Sequence, residues 1–265
     1  MKEQILSKLS AAYPWKEQFH YFTEIDSTND RLKIMARQGA PHGTVLIADH
    51  QTGGHGRLGR SFHSPEGVGI YFSILLRPNC KPQELMHLTC ATAVAMCEAV
   101  ESATGLRPGI KWTNDLVSGK RKLGGILTEL GLNTKGSVDY AIIGIGINCC
   151  HQEADFPEDI RAIAGSLAMV TGKEIDRSAV AAAMMEALYC MDSILLTQKN
   201  AILNRYRENC ITVGQDISLV RGEEIRHGHA IDVDAEGALV VRFPDGHTEA
   251  VNSGEVSVRG MYGYV

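Results

Sequence analysis

Short apolar runs alternate with helical stripes along most of this chain, and the pattern changes towards its end. Residues 20–23, 44–48, 69–77 and 138–148 are rich in β-branched and aromatic side chains and predict strands. Between the first two, Ser27 and Asp30 fit a capping box, and Leu32, Met35 and Ala36 share one helical face until Gly39 and Pro41 stop it. Residues 82–104 read as one long helix, with Leu85, Leu88, Thr92, Ala95, Met96 and Ala99 along one side and Gly105 as its stop. Residues 160–169, 177–197 and 201–208 read as further helices. In the second of these Val180, Met184, Leu188, Met191 and Leu195 recur at helical spacing, a stripe that belongs in a core. Residues 1–22 leave room for one short helix and a lead-in strand.

From Ile211 the period shortens. Residues 217–221, 228–233, 238–243, 248–251 and 256–259 alternate as strands do, and turns at 234–237 and 244–246 separate them. Five short strands in so little chain read as a small barrel, and with no long linker before it the barrel is expected to dock on the rest. The chain thus divides into an α+β unit over 1–210, a mixed sheet flanked by helices, and a small β-unit over 211–265.

Composition narrows the setting. The 265 residues are 44% hydrophobic and 22% charged, ordinary for a globular protein with a well-filled core. A net charge of −5 argues against a surface that binds nucleic acid at large. The seven cysteines contain no C-x-x-C pair, so neither a disulfide framework nor a zinc site is suggested and reduced thiols are expected. The polar start MKEQILSKLS is no signal peptide, and no run reaches the ~18 apolar residues of a membrane span. A cytoplasmic protein is expected.

The unusual chemistry lies in three stretches. After the strand at 44–48 comes QTGGHGRLGR at 51–60, with glycines at 53, 54, 56 and 59 and arginines at 57 and 60. Glycines at this density bring backbone N–H groups close to a ligand, and arginine forks suit phosphate or carboxylate, so the loop reads as a grip on an anion. Residues 110–116, read as a strand, carry Lys111, Trp112, Asn114 and Asp115, which cannot all be buried without partners and so point to a cavity. A turn at 118–120 returns the chain as a hairpin arm over 121–129, with Lys122 where its basic tip becomes apolar. The strand at 138–148 ends in GIGIN; glycines within it signal a close approach by a ligand or another backbone, with Asn148 at the wall. Ser27, Thr28 and Asn29 collect hydroxyl and amide groups at a helix N-terminus, a seat for a polar head group.

Residues 54–59 match G-x-G-x-x-G, but the following RSFHSP cannot open a helix and no acid answers about 20 residues later, so a dinucleotide fingerprint is rejected. No G-x-x-x-x-G-K-[ST] occurs. Taken together, DSTN at 26–29, QTGGHGRLGR at 51–60, KWTNDL at 111–116, GKRKLGGILTEL at 119–130 and GIGIN at 144–148 resemble the biotin protein ligases in order and spacing.

The resemblance implies a catalytic domain like those of class II aminoacyl-tRNA synthetases and lipoate ligases, followed by an SH3-like barrel. It implies ATP-dependent activation of biotin to biotinyl-5′-AMP, then transfer to a lysine of the biotin carboxyl carrier protein of acetyl-CoA carboxylase, with Mg²⁺ assisting. By the same resemblance Lys122 and Arg57 are the catalytic residues. Ser27, Thr28, Asn29, Gln51, Gly54, His55, Gly56, Arg57, Trp112, Lys122, Gly125 and Leu127 would bind biotin. Arg57, Arg60, Phe62, Asn114, Lys122 and Asn148 would face the nucleotide, and Asp115 its metal. His55, Phe62, Thr113 and Gly124 depart from the family's usual arginine, tryptophan, proline and alanine. Some relatives add an N-terminal DNA-binding domain; residues 1–22 are too few for one, so ligase activity without DNA binding is expected. A lipoate ligase fits KWTNDL and the glycine loop less well. Relatives can pair through their sheets, so a homodimer is an arrangement the resemblance allows.

Overall fold

The computed structural model describes residues 1–252 and 257–260. The main body is built on a seven-stranded sheet: β1 (Phe19–Ile25), β2 (Thr44–Gln51), β3 (Gly69–Leu76), β4 (Gly109–Lys111), β5 (Asp115–Ser118), β6 (Arg121–Leu132) and β7 (Val138–Asn148). Their spatial order is β1-β2-β3-β7-β6-β5-β4. Only β1 and β2 run parallel, joined through helix α2 (Thr28–Arg37), and the other neighbours are antiparallel.

Side-chain alternation along the strands fills two cores. Leu46, Leu75, Tyr140 and Ile142 face α2, which buries Leu32 and Ala36 against them. Val45, Ile47, Ile74, Ile143 and Ile145 face the opposite side and join the cluster of α3 (Leu88–Thr104) and α6 (Arg177–Ile194). Helix α1 (Lys2–Lys8) packs on α6 and buries Ile5, and the short helices α4 (Glu158–Arg161) and α5 (Leu167–Thr171) follow β7 in the chain. Leu32 is fully buried against the sheet, and truncating such a side chain to alanine costs about 2–5 kcal/mol.

After α7 (Lys199–Asn209) come β8 (Asp216–Arg221), β9 (Glu224–Val233), β10 (Leu239–Arg242), β11 (Thr248–Val251) and β12 (Ser257–Gly260), an antiparallel sheet in the order β11-β10-β9-β8-β12. Val256, expected to open the last strand, lies outside the described residues. This sheet docks on the main body: the Trp112 indole donates to Gly237 O at 3.0 Å, Arg207 Nε to Val233 O at 2.6 Å, and Lys199 pairs with Glu236 at 2.7 Å.

Three expected elements are interrupted, each beside a bond to a partner elsewhere in the chain. The helix at 82–104 opens as a 3₁₀ turn (Pro82–Leu85) before α3, and at the junction the His87 ring bonds Leu195 O at 2.9 Å. The strand at 110–116 breaks into β4 and β5, since Asn114 bonds Ile126 in both directions, O to N at 2.9 Å and Nδ2 to O at 3.0 Å. The Trp112–Thr113 peptide in that turn is cis. The helix at 160–169 splits into α4 and α5 because Ala164 forms a β-bridge with Lys122 and Ser166 restarts the helix as its cap. No helix among the described residues is long and apolar enough to cross a membrane.

Candidate active site

The N-terminus of α2 is the polar end of the site. Ser27 caps it by accepting from Asp30 N, while Asp26 rather than Asp30 takes the Ser27 N–H at 2.7 Å, so the box is closed from the preceding residue. Gln51 Oε1 receives Thr28 N and Oγ1 at 2.9 and 3.0 Å, tying the end of β2 to the helix. Ser73 Oγ lies 2.7 Å from Thr28 Oγ1 and 2.6 Å from Asn29 Oδ1; its one proton serves one of them at a time. Asn29 Nδ2 donates to Glu129 at 2.9 Å, and Glu129 is held by Lys33 at 2.7 Å. The polar atoms here are therefore fixed in orientation before any ligand arrives.

Alternate residues of β7 form the floor, and its glycines are required there. A Cβ at Gly144 would stand 2.2 Å from Asn29 Oδ1, and one at Gly146 would stand 2.4 Å from the Phe62 ring. The close approach expected at GIGIN is thus made by the protein's own side chains seated on a bare strand.

The glycine loop folds back on itself. Gly56 N donates to Arg60 O at 2.7 Å and Phe62 N to Gly54 O at 2.9 Å, around a turn in which Leu58 (φ 57°) and Gly59 (φ 69°) adopt left-handed backbone. Gly54 does not line the cavity; a Cβ there would meet Ser64 Oγ at 2.6 Å, so it serves the packing of the loop. Arg57 reaches across and donates to Asn114 Oδ1 at 2.9 Å. Burial pulls its guanidinium below the usual value, with Asp115 opposing that pull. Lys122 Nζ meets Asp115 Oδ1 at 2.6 Å, and both side chains stay within reach of the cavity.

These parts enclose one cavity of about 700 Å³. Ser27, Thr28, Asn29, Gln51, His55, Gly56, Arg57, Arg60, Phe62, Trp112, Asn114, Asp115, Lys122, Gly125, Leu127 and Asn148 all line it. Trp112 is 4% exposed and its polar edge is committed to Gly237, so it contributes ring surface only. Lys111, expected at a cavity with its neighbours, lines it too, whereas the apolar wall of Phe156, Ile160, Ile163 and Ala164, and Val258 from the second sheet, carry no such signal in the sequence. The wall consists of ordinary apolar residues on no recognisable motif.

Behind that wall His151 is fully buried and stacked on Phe156 at 4.9 Å, with no well-formed partner for either ring nitrogen among the described residues. Burial, with nearby His63 adding to it, pushes its pKa down to about 4. The unfolded chain takes up this proton near pH 6.5 and the folded one does not, so stability falls as pH drops from about 6.5 towards 4, by up to about 3 kcal/mol. Thermal melts of the wild type and of His151→Phe between pH 7 and 4 check this: the variant is expected to lose less.

Comparison with known proteins places this geometry. Residues 21–148 match the biotin/lipoate A/B protein ligase family, and residues 212–259 match the biotin protein ligase C-terminal domain. The bifunctional ligase/repressor BirA of Bacillus spizizenii is 34% identical over 85% of this chain and 70% of its own length. The biotin–[acetyl-CoA-carboxylase] ligase of Mycobacterium tuberculosis is 29% identical over 94% of this chain and 91% of its own. The solved biotin protein ligase of Aquifex aeolicus in complex with biotin and ATP superposes with a TM-score of 0.77 at 31% identity, covering 91% of this chain and 98% of that one. With both of its units matched and its motifs gathered on one cavity, the chain belongs to the biotin protein ligase family.

Proposed function

We propose that this chain joins biotin to ATP as biotinyl-5′-AMP and passes the biotinyl group to a lysine of a biotin carboxyl carrier protein. The observation that carries the reading is a single cavity with neutral, pre-oriented hydrogen-bonding groups at one end and two cations, Arg57 and Lys122, at the other. Thr28, Asn29 and Gln51 suit a ureido ring, which offers one carbonyl acceptor and two N–H donors. Leu127 and the Trp112 face suit its apolar chain. That chain delivers the carboxylate towards Lys122.

In the first step a biotin carboxylate oxygen attacks the α-phosphorus, the bond from that phosphorus to the bridging oxygen breaks, and pyrophosphate leaves. Like charges must meet for this to happen, so Lys122 and Arg57 act by neutralising them in a water-poor site. In the second step a neutral lysine amine of the carrier attacks the acyl carbon and AMP departs. The roles of Arg60, Phe62, Asn114 and Asn148 on the nucleotide side rest on their place along the same cavity.

Among the described residues no cluster of three or more His, Cys, Asp or Glu can hold a metal, and the Asp115 carboxylate already accepts from Lys122. Magnesium would arrive on the phosphates of ATP, where it commonly takes only one or two protein carboxylates, and Asp115, which lines the cavity and orients Lys122, is the carboxylate placed to share it.

Incubating the chain with Mg-ATP, biotin and a carrier domain should add one biotinyl mass to the carrier, whereas lipoate in place of biotin should add nothing. A carrier left unmodified, or one modified by lipoate instead, refutes the reading. Gly144→Ala tests the polar end: its Cβ would displace Asn29 from Ser73 and Glu129. Biotin affinity is expected to fall at least about tenfold, with stability lower by roughly 1–3 kcal/mol from overpacking. Calorimetric titration and a thermal melt read the two effects.

A further inference from the structure

We propose that Gly165 is a positioning residue for adenylation, holding Lys122 and Asn148 in one rigid frame. No motif marks it, yet its main chain meets both residues. Gly165 N donates to Lys122 O at 2.9 Å, and Gly165 O accepts from Asn148 Nδ2 at 2.9 Å. The clamp is completed two residues earlier, where Ile163 O accepts Lys122 N at 2.7 Å. Lys122 is thus held through both its N–H and its C=O by a segment outside its own hairpin. The same segment supplies Ile163 and Ala164 to the cavity wall.

Glycine is the residue this position takes without a shift of its neighbours. Its φ is not in the left-handed region, so the reason is space: a Cβ would stand 2.8 Å from Arg121 Cβ and 3.0 Å from Arg121 Cδ. The Cβ of Arg121 is fixed to the strand and cannot rotate away as a side-chain tip can. A side chain at 165 must therefore push the clamp off the start of β6, and Lys122 is the next residue along. A small displacement of a group that has to meet a developing charge lowers a rate steeply, with losses near 10²-fold for about 1 Å.

The assignment rests on the proposed role of Lys122 in adenylation. Biotin-dependent release of pyrophosphate is measured in the wild type, in Gly165→Ala, in Lys122→Ala and in the double variant. Gly165→Ala is expected to lower kcat at least about tenfold with the KM for biotin little changed, because the α2 end of the cavity is remote from the clamp. In the Lys122→Ala background the same substitution should cost much less, the remainder being the part that acts through Asn148, as expected of residues that act through shared groups. An unchanged kcat, or a full loss repeated in that background, overturns the assignment. No release by the wild type would instead overturn the functional reading and the assignment with it.

Should Gly165→Ala fail to fold, amide exchange of the wild type decides. The Lys122 and Gly165 amides, whose bonds cross the same junction, should exchange together and slow together when biotin and ATP are added. Independent exchange overturns the clamp.

Discussion

Lys122→Ala is expected to slow formation of biotinyl-5′-AMP by about 10²–10³-fold or more while leaving the protein folded. The size follows from the chemistry: removing one pre-placed donor from a site of developing charge typically costs about 2.7–4 kcal/mol of transition-state stabilisation. The folded state loses far less. Lys122 pairs with Asp115 at 2.6 Å where its own side chain is still 31% exposed, and partly solvated pairs contribute only about 0–1 kcal/mol. Pyrophosphate release and a thermal melt on the same preparation separate the two quantities. A rate near that of the wild type removes Lys122 from the mechanism.

Arg57→Gly is expected to add a second effect: with one cation fewer adenylate forms more slowly, and what forms leaves. The mixed anhydride survives only where water and stray amines are kept out. Arg57 fastens the glycine loop across the cavity by its bond to Asn114, which is itself bonded in both directions to Ile126. Without that fastening the left-handed turn at Leu58 and Gly59 has nothing from Arg57 to hold it down. Labelling of lysines on unrelated proteins by the purified variant should rise at least about tenfold, the equivalent of roughly 1.4 kcal/mol less retention. Labelling no faster than that of the wild type contradicts the retention role.

The strands and the helix stripe were legible because they carry simple periods. Thr44 to Ala48 and Val138 to Asn148 are apolar enough to be strands of a sheet covered on both faces, and they are. The breaks are tertiary in origin: Asn114 and Ala164 each leave a regular element to bond a partner elsewhere in the chain, His87 bonds Leu195 where α3 begins, and nothing local announces these partners. The site divides in the same way. Glycines, arginines and the Lys122 hairpin stood out because such residues are expensive to place without a purpose. Phe156, Ile160 and Ile163 did not, since apolar residues in a wall look like apolar residues in a core. Gly165 was hidden too, because a glycine needed for space has no sequence mark that separates it from one needed for a turn.

The decisive measurement is a crystal structure of the chain grown with biotin and ATP. One intermediate is expected along the cavity, its ring at the N-terminus of α2 and its acyl-phosphate within hydrogen-bonding reach of both Arg57 and Lys122. An intermediate bound elsewhere, or bound there with both cations turned away from it, rules this arrangement out.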